Sequence, residues 1–327
     1  MHKVSVIIPA YNMEQYISST IWSVLSSSRY SLEIIVVNDG STDATLLQLA
    51  QYDNPQIKIV TTKNQGVSSA RNVGLEYASG EYVFFLDGDD LLVDDVFEQM
   101  IKLADSQNLD IVLSDWVLDF GTLKKTISHN NLVTDDYIKE VLLGRLIPSV
   151  CGKLIKRELF ELNRVKFPLG ISMGEDFYVS TMLAYYARKI GKIDGASIYY
   201  RQLDDSATNS YSAKMLEIFP AMQLIREFLE TNAIFSTYLA EFTFAEYLHT
   251  YRYRVLVHPT TGREFHQEIY LVVKPKFVDF AQNEYVVNYL KNTNMIIRCL
   301  DKAYRKNYDF ALKLSVTVNA VRKFVSS

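Results

Sequence analysis

Short apolar runs rich in β-branched and aromatic residues punctuate the first third of the chain. They fall at Val4–Ile8, Glu33–Val37, Ile57–Thr61, Tyr82–Leu86 and Ile111–Leu113. Between them, apolar positions recur at helical spacing over Met13–Ser28, Thr42–Tyr52, Val67–Ala78 and Asp94–Ser106. Strands alternating with helices of this length predict βαβ units and an α/β fold, a mainly parallel sheet with helices on both faces. Ser41 or Thr42, followed by Asp43, supplies a helix start before Leu46, Leu47 and Leu49. Asp94 and Asp95 put negative charge at the start of the helix bearing Val96, Met100, Ile101 and Leu103.

The pattern is less regular from Asp115 to Arg201. It predicts helices at Thr134–Leu143, Lys156–Leu162 and Asp176–Lys189, a loop at Phe167–Gly174 and an edge strand at Ser197–Arg201. From Met215 onward Ile218, Phe219, Met222, Ile225 and Leu229 lie on one helical face, and Phe235, Tyr238, Leu239, Phe242, Tyr247, Leu248 and Tyr251 follow suit. A helical C-terminal appendage therefore starts near Ser212. Leu312, Leu314, Val316 and Val318 alternate like a strand, but Phe310, Leu314, Val318, Val321 and Val325 fit a helix face, and helical neighbours favour the helix. The expected organisation is an α/β domain over 1–211, with halves 1–114 and 115–211, followed by a helical region over 212–327.

Composition narrows the classes. The 327 residues are 48% hydrophobic and 22% charged, as in a folded globular protein. The longest apolar run, Met182–Ala187, is far short of the about 20 residues that span a bilayer, and Pro9 to Glu14 interrupt the first strand too early for an export signal. A cytoplasmic location is expected. Cys151 and Cys299 are the only cysteines, which excludes a disulfide framework and a cysteine-based zinc site. A net charge of −4 argues against duplex nucleic acid as a partner. Residues 295–327 nonetheless carry +5 against −9 for the rest. That basic, aromatic end suits homo-oligomer or partner contacts, a peripheral contact with the inner face of the cell membrane, or simply a solvated helix face.

The chemistry collects at strand ends. Tyr82–Leu86 runs into Asp87-Gly88-Asp89-Asp90, which places carboxylates at the sheet's carboxyl edge, where α/β proteins take ligands. Neighbouring carboxylates repel unless a cation joins them, and hard ions such as Mg²⁺ or Mn²⁺ share such ligands with substrate phosphates. Gly88 permits the turn and a close phosphate. The alternative is a solvated acidic turn. Other strands end in Pro9-Ala10-Tyr11-Asn12, Asn38-Asp39-Gly40-Ser41-Thr42-Asp43 and Thr62-Lys63-Asn64-Gln65-Gly66, the last followed by Ala70, Arg71 and Asn72. Tyr11 can stack on a base, Asp39 can accept from a base or ribose, and Arg71 can meet a base carbonyl or phosphate. Each also suits ordinary turn chemistry. Asp43 reads as a helix-start residue.

As an ordered set, Val4–Asn12, Val36–Asp43, Asn64-Gln65-Gly66, Ala70–Gly74 and Asp87–Asp90 resemble family 2 glycosyltransferases of the GT-A fold, over about residues 1–201. The resemblance implies a GT-A, Rossmann-like sheet and an inverting transfer from a UDP-sugar to a glycan or glycosylated-protein acceptor in bacterial surface-glycan assembly, with Mn²⁺ or Mg²⁺. It implies that Pro9, Tyr11, Asp39 and Arg71 surround the uridine, with Ala10, Asn12, Asn64, Gly66 and Gly88 lining the donor site. Asp87 then sits by the ribose and diphosphate, and Asp89 on the metal with Asp87 beside it. Asn38 stands where many relatives have Asp.

Gly174-Glu175-Asp176-Phe177 looks like the family's Glu-Asp motif. It implies Asp176 as the base and Glu175 as its fallback or as an acceptor-orienting partner; the bland reading is an acidic helix start. Arg201 and the segment Gln202–Tyr211 suit a cover over the diphosphate, and Trp116 suits either an acceptor-sugar platform or the core. Lys153 and His129 read as structural or surface residues. A catalytically silent nucleotide-sugar-binding scaffold is the other class of reading. A dinucleotide dehydrogenase is disfavoured because no Gly-x-Gly-x-x-Gly follows a strand.

Overall fold

The computed structural model describes residues 3–27, 31–128, 136–203, 213–256 and 263–326, with the side chains of the last span described over 265–317. The chain divides into two compact units, residues 1–141 with 145–206, and residues 142–144 with 207–327.

The first unit is built on a nine-stranded sheet. Its strands are β1 (Val4–Ala10), β2 (Leu32–Asn38), β3 (Ile57–Thr61), β4 (Tyr82–Phe85), β5 (Leu91–Leu92), β6 (Ile111–Asp119), β7 (Lys124–Ile127), β8 (Leu154–Lys156) and β9 (Ile190–Arg201). The order is β3-β2-β1-β4-β8-β6-β9-β5, with β7 also paired to β6. β1 to β4 are mutually parallel, and β8 runs antiparallel between β4 and β6. β1, β2 and β4 are buried almost throughout, so apolar residues run without alternation, as burial on both faces requires. Around the sheet lie α1 (Ile17–Ser26), α2 (Thr45–Leu49), α3 (Val67–Tyr77), α4 (Val96–Gln107), α5 (Tyr137–Leu142), α6 (Arg157–Leu162) and α7 (Glu175–Tyr186).

Several expectations change. The first helix starts at Ile17 rather than Met13, because Asn12 adopts a left-handed φ of 54° and a turn over Met13–Tyr16 precedes it. α2 shrinks to five residues; Asp43, not Ser41 or Thr42, accepts from its Thr45 N–H at 2.9 Å. The strand at Ser197–Arg201 is not an edge: β9 extends back to Ile190, with β6 on one side and β5 on the other.

The second unit is helical: α8 (Ile218–Thr231), α9 (Leu239–Glu246) continuing into a π-turn at Tyr247–Arg252, α10 (Arg263–Val273), α11 (Phe277–Gln282), α12 (Glu284–Asn292), α13 (Met295–Lys306) and α14 (Tyr308–Ser326). The ambiguous last segment is thus a helix. This unit has its own core, in which Tyr247, Tyr251, Phe280 and Tyr304 are fully buried. Among the described residues no helix is long and apolar enough to cross a membrane.

Candidate active site

Parallel register brings the ends of β1 to β4 to one edge. Ala10 pairs with Asn38 and Asn38 with Thr61, while the Leu86 N–H donates to the Ile7 carbonyl. The polar residues that follow each strand therefore meet by geometry rather than by chance. Asn12 accepts from the Thr42 N–H at 2.8 Å, and its own N–H donates to Ser41 Oγ at 3.0 Å. Tyr11 beside it is 42% exposed. Pro9 and Ala10 crowd Gly88: a Cβ there would lie 2.9 Å from the Pro9 carbonyl oxygen. Glycine at 88 is thus required by β1 itself.

Asp39 is buried at the end of β2 and organises the next loop. Its Oδ1 accepts from Thr62 Oγ1 and the Gln65 N–H, both at 3.0 Å, and its Oδ2 from the Gly66 N–H at 2.7 Å. Gly66, at φ 89°, caps α3 with open space on its Cβ side, whereas a Cβ on Gly40 would strike the Asn64 N at 2.7 Å. Asn64 stays exposed at this rim.

Arg71, on the first turns of α3, is the hub of the site. Its side chain is 4% exposed. Nη1 donates to Asp176 Oδ1 at 2.7 Å and Glu175 Oε1 at 3.0 Å, and Nη2 to Asp87 Oδ1 at 3.0 Å. Phe167 backs the guanidinium, 5.4 Å from its ring centre. Both arms of the fork are taken up by carboxylates, Nη2 by Asp87 at the sheet edge and Nη1 by Glu175 and Asp176 at the start of α7. Burial works against the Arg71 charge, but Asp176 and Asp87 outweigh it and hold the group firmly cationic. One cation facing three carboxylates leaves an excess of negative charge. Glu175, the most buried of them, is pushed up to about 7 by that burial and by Asp176, with Arg71 opposing. Asp176 is completed by Ser149, whose hydroxyl donates to Oδ2 at 2.7 Å.

The acidic turn shows the same tension. Burial, then Asp87, pushes the Asp89 carboxyl up to about 6. Asp90 is fully buried; its Oδ1 accepts from the Arg201 N–H at 2.9 Å, and Oδ2 is buried without a partner. Thr20 Oγ1 pins the turn through the carbonyls of Gly88 (2.9 Å) and Asp90 (2.8 Å). Arg201 ends β9 beside this turn, with Nη2 on Ser19 Oγ at 2.8 Å and its guanidinium 5.3 Å from the Tyr16 ring centre. Residues 204–211 of the expected cover, and His129, lie outside the described residues. Among the described residues no three His, Cys, Asp or Glu side chains group to hold a metal. The protein offers Asp87 and Asp89, an oxygen set that suits a hard ion only if a ligand completes its shell.

The structure therefore joins Asp87, Arg71, Glu175 and Asp176 directly, and Asp39 with Gly66. It adds Ser149, Thr20 and Cys151, whose Sγ accepts from Arg71 Nη2 at 3.8 Å; none of the three carries a motif. Trp116 is a core residue, 8% exposed and packed on Tyr200. Lys153 is buried, its Nζ donating to the Ile147 carbonyl at 2.8 Å.

A sheet surrounded by helices, with polar strand ends gathered at its carboxyl edge, is the frame of an α/β enzyme that takes its ligand there. The chain belongs to glycosyl transferase family 2, whose model matches residues 5–162, and it is a glycosyltransferase. It is 31% identical to the Bacillus subtilis (strain 168) protein named "Putative glycosyltransferase EpsH", over 71% of this chain and 68% of that one. With the Escherichia coli UDP-Glc:alpha-D-GlcNAc-diphosphoundecaprenol beta-1,3-glucosyltransferase WfgD it shares 29% identity, over 54% of this chain and 67% of that one. It spans only 32% of Streptococcus pneumoniae GlyA and 24% of the B. subtilis minor teichoic acid biosynthesis protein GgaB. The fold is that of residues 1–349 of S. aureus TarS, at TM-score 0.69 and 22% identity over 97% of this chain and 91% of that one. TarS has also been solved with UDP and with UDP-GlcNAc.

Proposed function

We propose that the protein transfers a sugar, with inversion, from a UDP-sugar to a hydroxyl of a bacterial surface-glycan precursor, on the cytoplasmic side of the membrane. The observation that carries this reading is the convergence of Asp87, from the end of β4, with Glu175 and Asp176, from the start of α7, on one buried Arg71. It joins a strand-end donor edge to a pair of carboxylates suited to proton transfer. The UDP and UDP-GlcNAc complexes of TarS and the UDP-glucose donor in WfgD's name favour a UDP-sugar.

In this reading residues 1–114 bind the donor and 115–211 the acceptor. Tyr11 stacks on the uracil, Asp39 fixes the loop at Asn64–Gly66 against the nucleoside, and Pro9, Ala10 and Asn12 close the other side. Asp176 accepts the proton of the acceptor hydroxyl as that oxygen attacks the anomeric carbon. The bond to the β-phosphate breaks, and UDP leaves with the electron pair. Asp89 and Asp87 are the residues that would hold a divalent ion, and their mutual repulsion fits them for one. When bound, such an ion neutralises the departing diphosphate. Arg201 lies at the same turn and faces the phosphates, and Glu175 orients the acceptor.

The test is thermal stabilisation by UDP, with and without Mn²⁺, on wild type and Asp89→Ala. Ligand at about 100 times its Kd stabilises by about 2.7 kcal/mol. A shift that needs UDP and Mn²⁺ together and vanishes in the variant is expected; no shift under any condition overturns the donor reading. With a donor in hand, Asp176→Asn is expected to lower kcat by about 10²–10⁴ while UDP still binds.

A further inference from the structure

Asp176 is held at both oxygens, by Arg71 on Oδ1 and by Ser149 on Oδ2, each at 2.7 Å. Ser149 is itself fixed, because its Oγ accepts from the Cys151 N–H at 3.2 Å. The segment that carries it runs beside the end of β4: Cys151 bridges Phe85, and the Gly152 N–H donates to the Phe85 carbonyl at 3.2 Å. Lys153 closes the other end. By donating to the Ile147 carbonyl it clasps the short loop containing Pro148 and Ser149.

Lys153 is an expensive residue to keep there. It is 6% exposed and borders a cavity lined by Leu113, Val141, Leu146, Leu183 and Ile190. Burial lowers its amine to about 8, with Asp176 partly opposing. An apolar side chain would suit that wall better, so its value lies in what the loop holds.

We propose that Ser149, on a loop clasped by Lys153, is the positioning residue that aims the Asp176 carboxylate at the acceptor hydroxyl, an inference that rests on Asp176 being the base. With Arg71 alone on Oδ1, the carboxylate is free to turn about its terminal torsion. A second donor on Oδ2 fixes the plane and leaves a lone pair for the incoming proton. Ser149 touches no substrate; it acts through Asp176.

The experiment uses the full chain as wild type, Ser149→Ala, Ser149→Thr, Lys153→Met and Asp176→Asn. UDP release from UDP-glucose and UDP-N-acetylglucosamine is followed with water as acceptor: water attacks the anomeric carbon, Asp176 takes its proton, and free sugar and UDP are formed. Ser149→Ala is expected to lower kcat about tenfold with donor KM unchanged within about twofold, as a misaimed base requires. Ser149→Thr, which keeps the hydroxyl, restores most of the rate. Lys153→Met is slower yet melts higher than wild type, the opposite of what loss of a purely structural residue does. Wild-type kcat in Ser149→Ala, or a change confined to KM, overturns the proposal. Asp176→Asn with wild-type release overturns the base reading and this inference with it, whereas an inactive Asp176→Asn beside a fully active Ser149→Ala overturns the role of Ser149 alone. Should water prove too slow an acceptor, crystals of Ser149→Ala decide: a turned or split Asp176 carboxylate supports the proposal, and an unmoved one overturns it.

Discussion

Three carboxylates around Arg71 make its guanidinium the residue on which the site balances. Removing the single cation of such a buried cluster strands its carboxylates, at about 3–5 kcal/mol. Arg71→Lys is expected to approach that loss in urea denaturation, since an ammonium has no fork to reach Asp87 and the α7 pair together. Glu175 makes the complementary prediction. Its carboxyl is raised in the native state from 4.5 to about 7, so over that window the folded protein keeps a proton the unfolded chain has lost. Stability therefore falls as pH rises through the window, and this contribution is gone above it. Glu175→Gln, which can still accept from Arg71, is expected to flatten the dependence between pH 5 and 7. At pH 8 it should exceed wild type by on the order of 1–3 kcal/mol. Denaturation curves at four pH values check it, and a Gln variant that keeps the wild-type slope would assign the charge strain elsewhere.

At the scale of elements, the site is made by loops that brace one another. Asp39 at the end of β2 accepts the N–H groups of Gln65 and Gly66 just before α3, and so fixes the helix that presents Arg71. Asp39→Asn places an amide where only acceptors fit; it is expected to cost about 1–3 kcal/mol and to weaken UDP binding, read by denaturation and calorimetry. Gly88→Ala is expected to act similarly, because its methyl meets the β1 backbone, which cannot swing aside. These loops were legible in the sequence because β1 to β4 are buried runs with strong local propensity, and their parallel pairing leaves one place for Asp39, Asp87 and their neighbours. β5, β7 and β8 were not. β5 and β8 are two and three residues long and exist only through partners distant in sequence, and β7 is a four-residue, largely exposed hairpin arm on β6 with no apolar run to announce it. The same holds for Ser149 and Lys153, whose roles arise from a loop brought to the start of α7. The pairing of Arg71 likewise depends on Glu175 and Asp176, about a hundred positions away, which no local pattern reports.

At the scale of the whole molecule, every side chain given a named role in donor or acceptor chemistry, from Pro9 to Arg201, lies in the first unit, while the second has a separate aromatic core. That division separates stability from chemistry in a measurable way. Phe280 is fully buried, edge-on to Tyr247 with ring centres 5.5 Å apart and stacked on Tyr251 at 6.2 Å. Phe280→Ala removes the ring from both contacts and leaves a cavity that rigid aromatic neighbours fill poorly, at about 3–5 kcal/mol. Because this loss falls within the helical unit, the variant is expected to unfold that unit earlier. Its affinity for UDP, titrated below the new transition, is expected to stay within about twofold of wild type, since ligand linkage acts only through the unit that binds. A parallel collapse of UDP affinity in Phe280→Ala would show instead that the helical unit's packing energy is used to hold the donor site in shape.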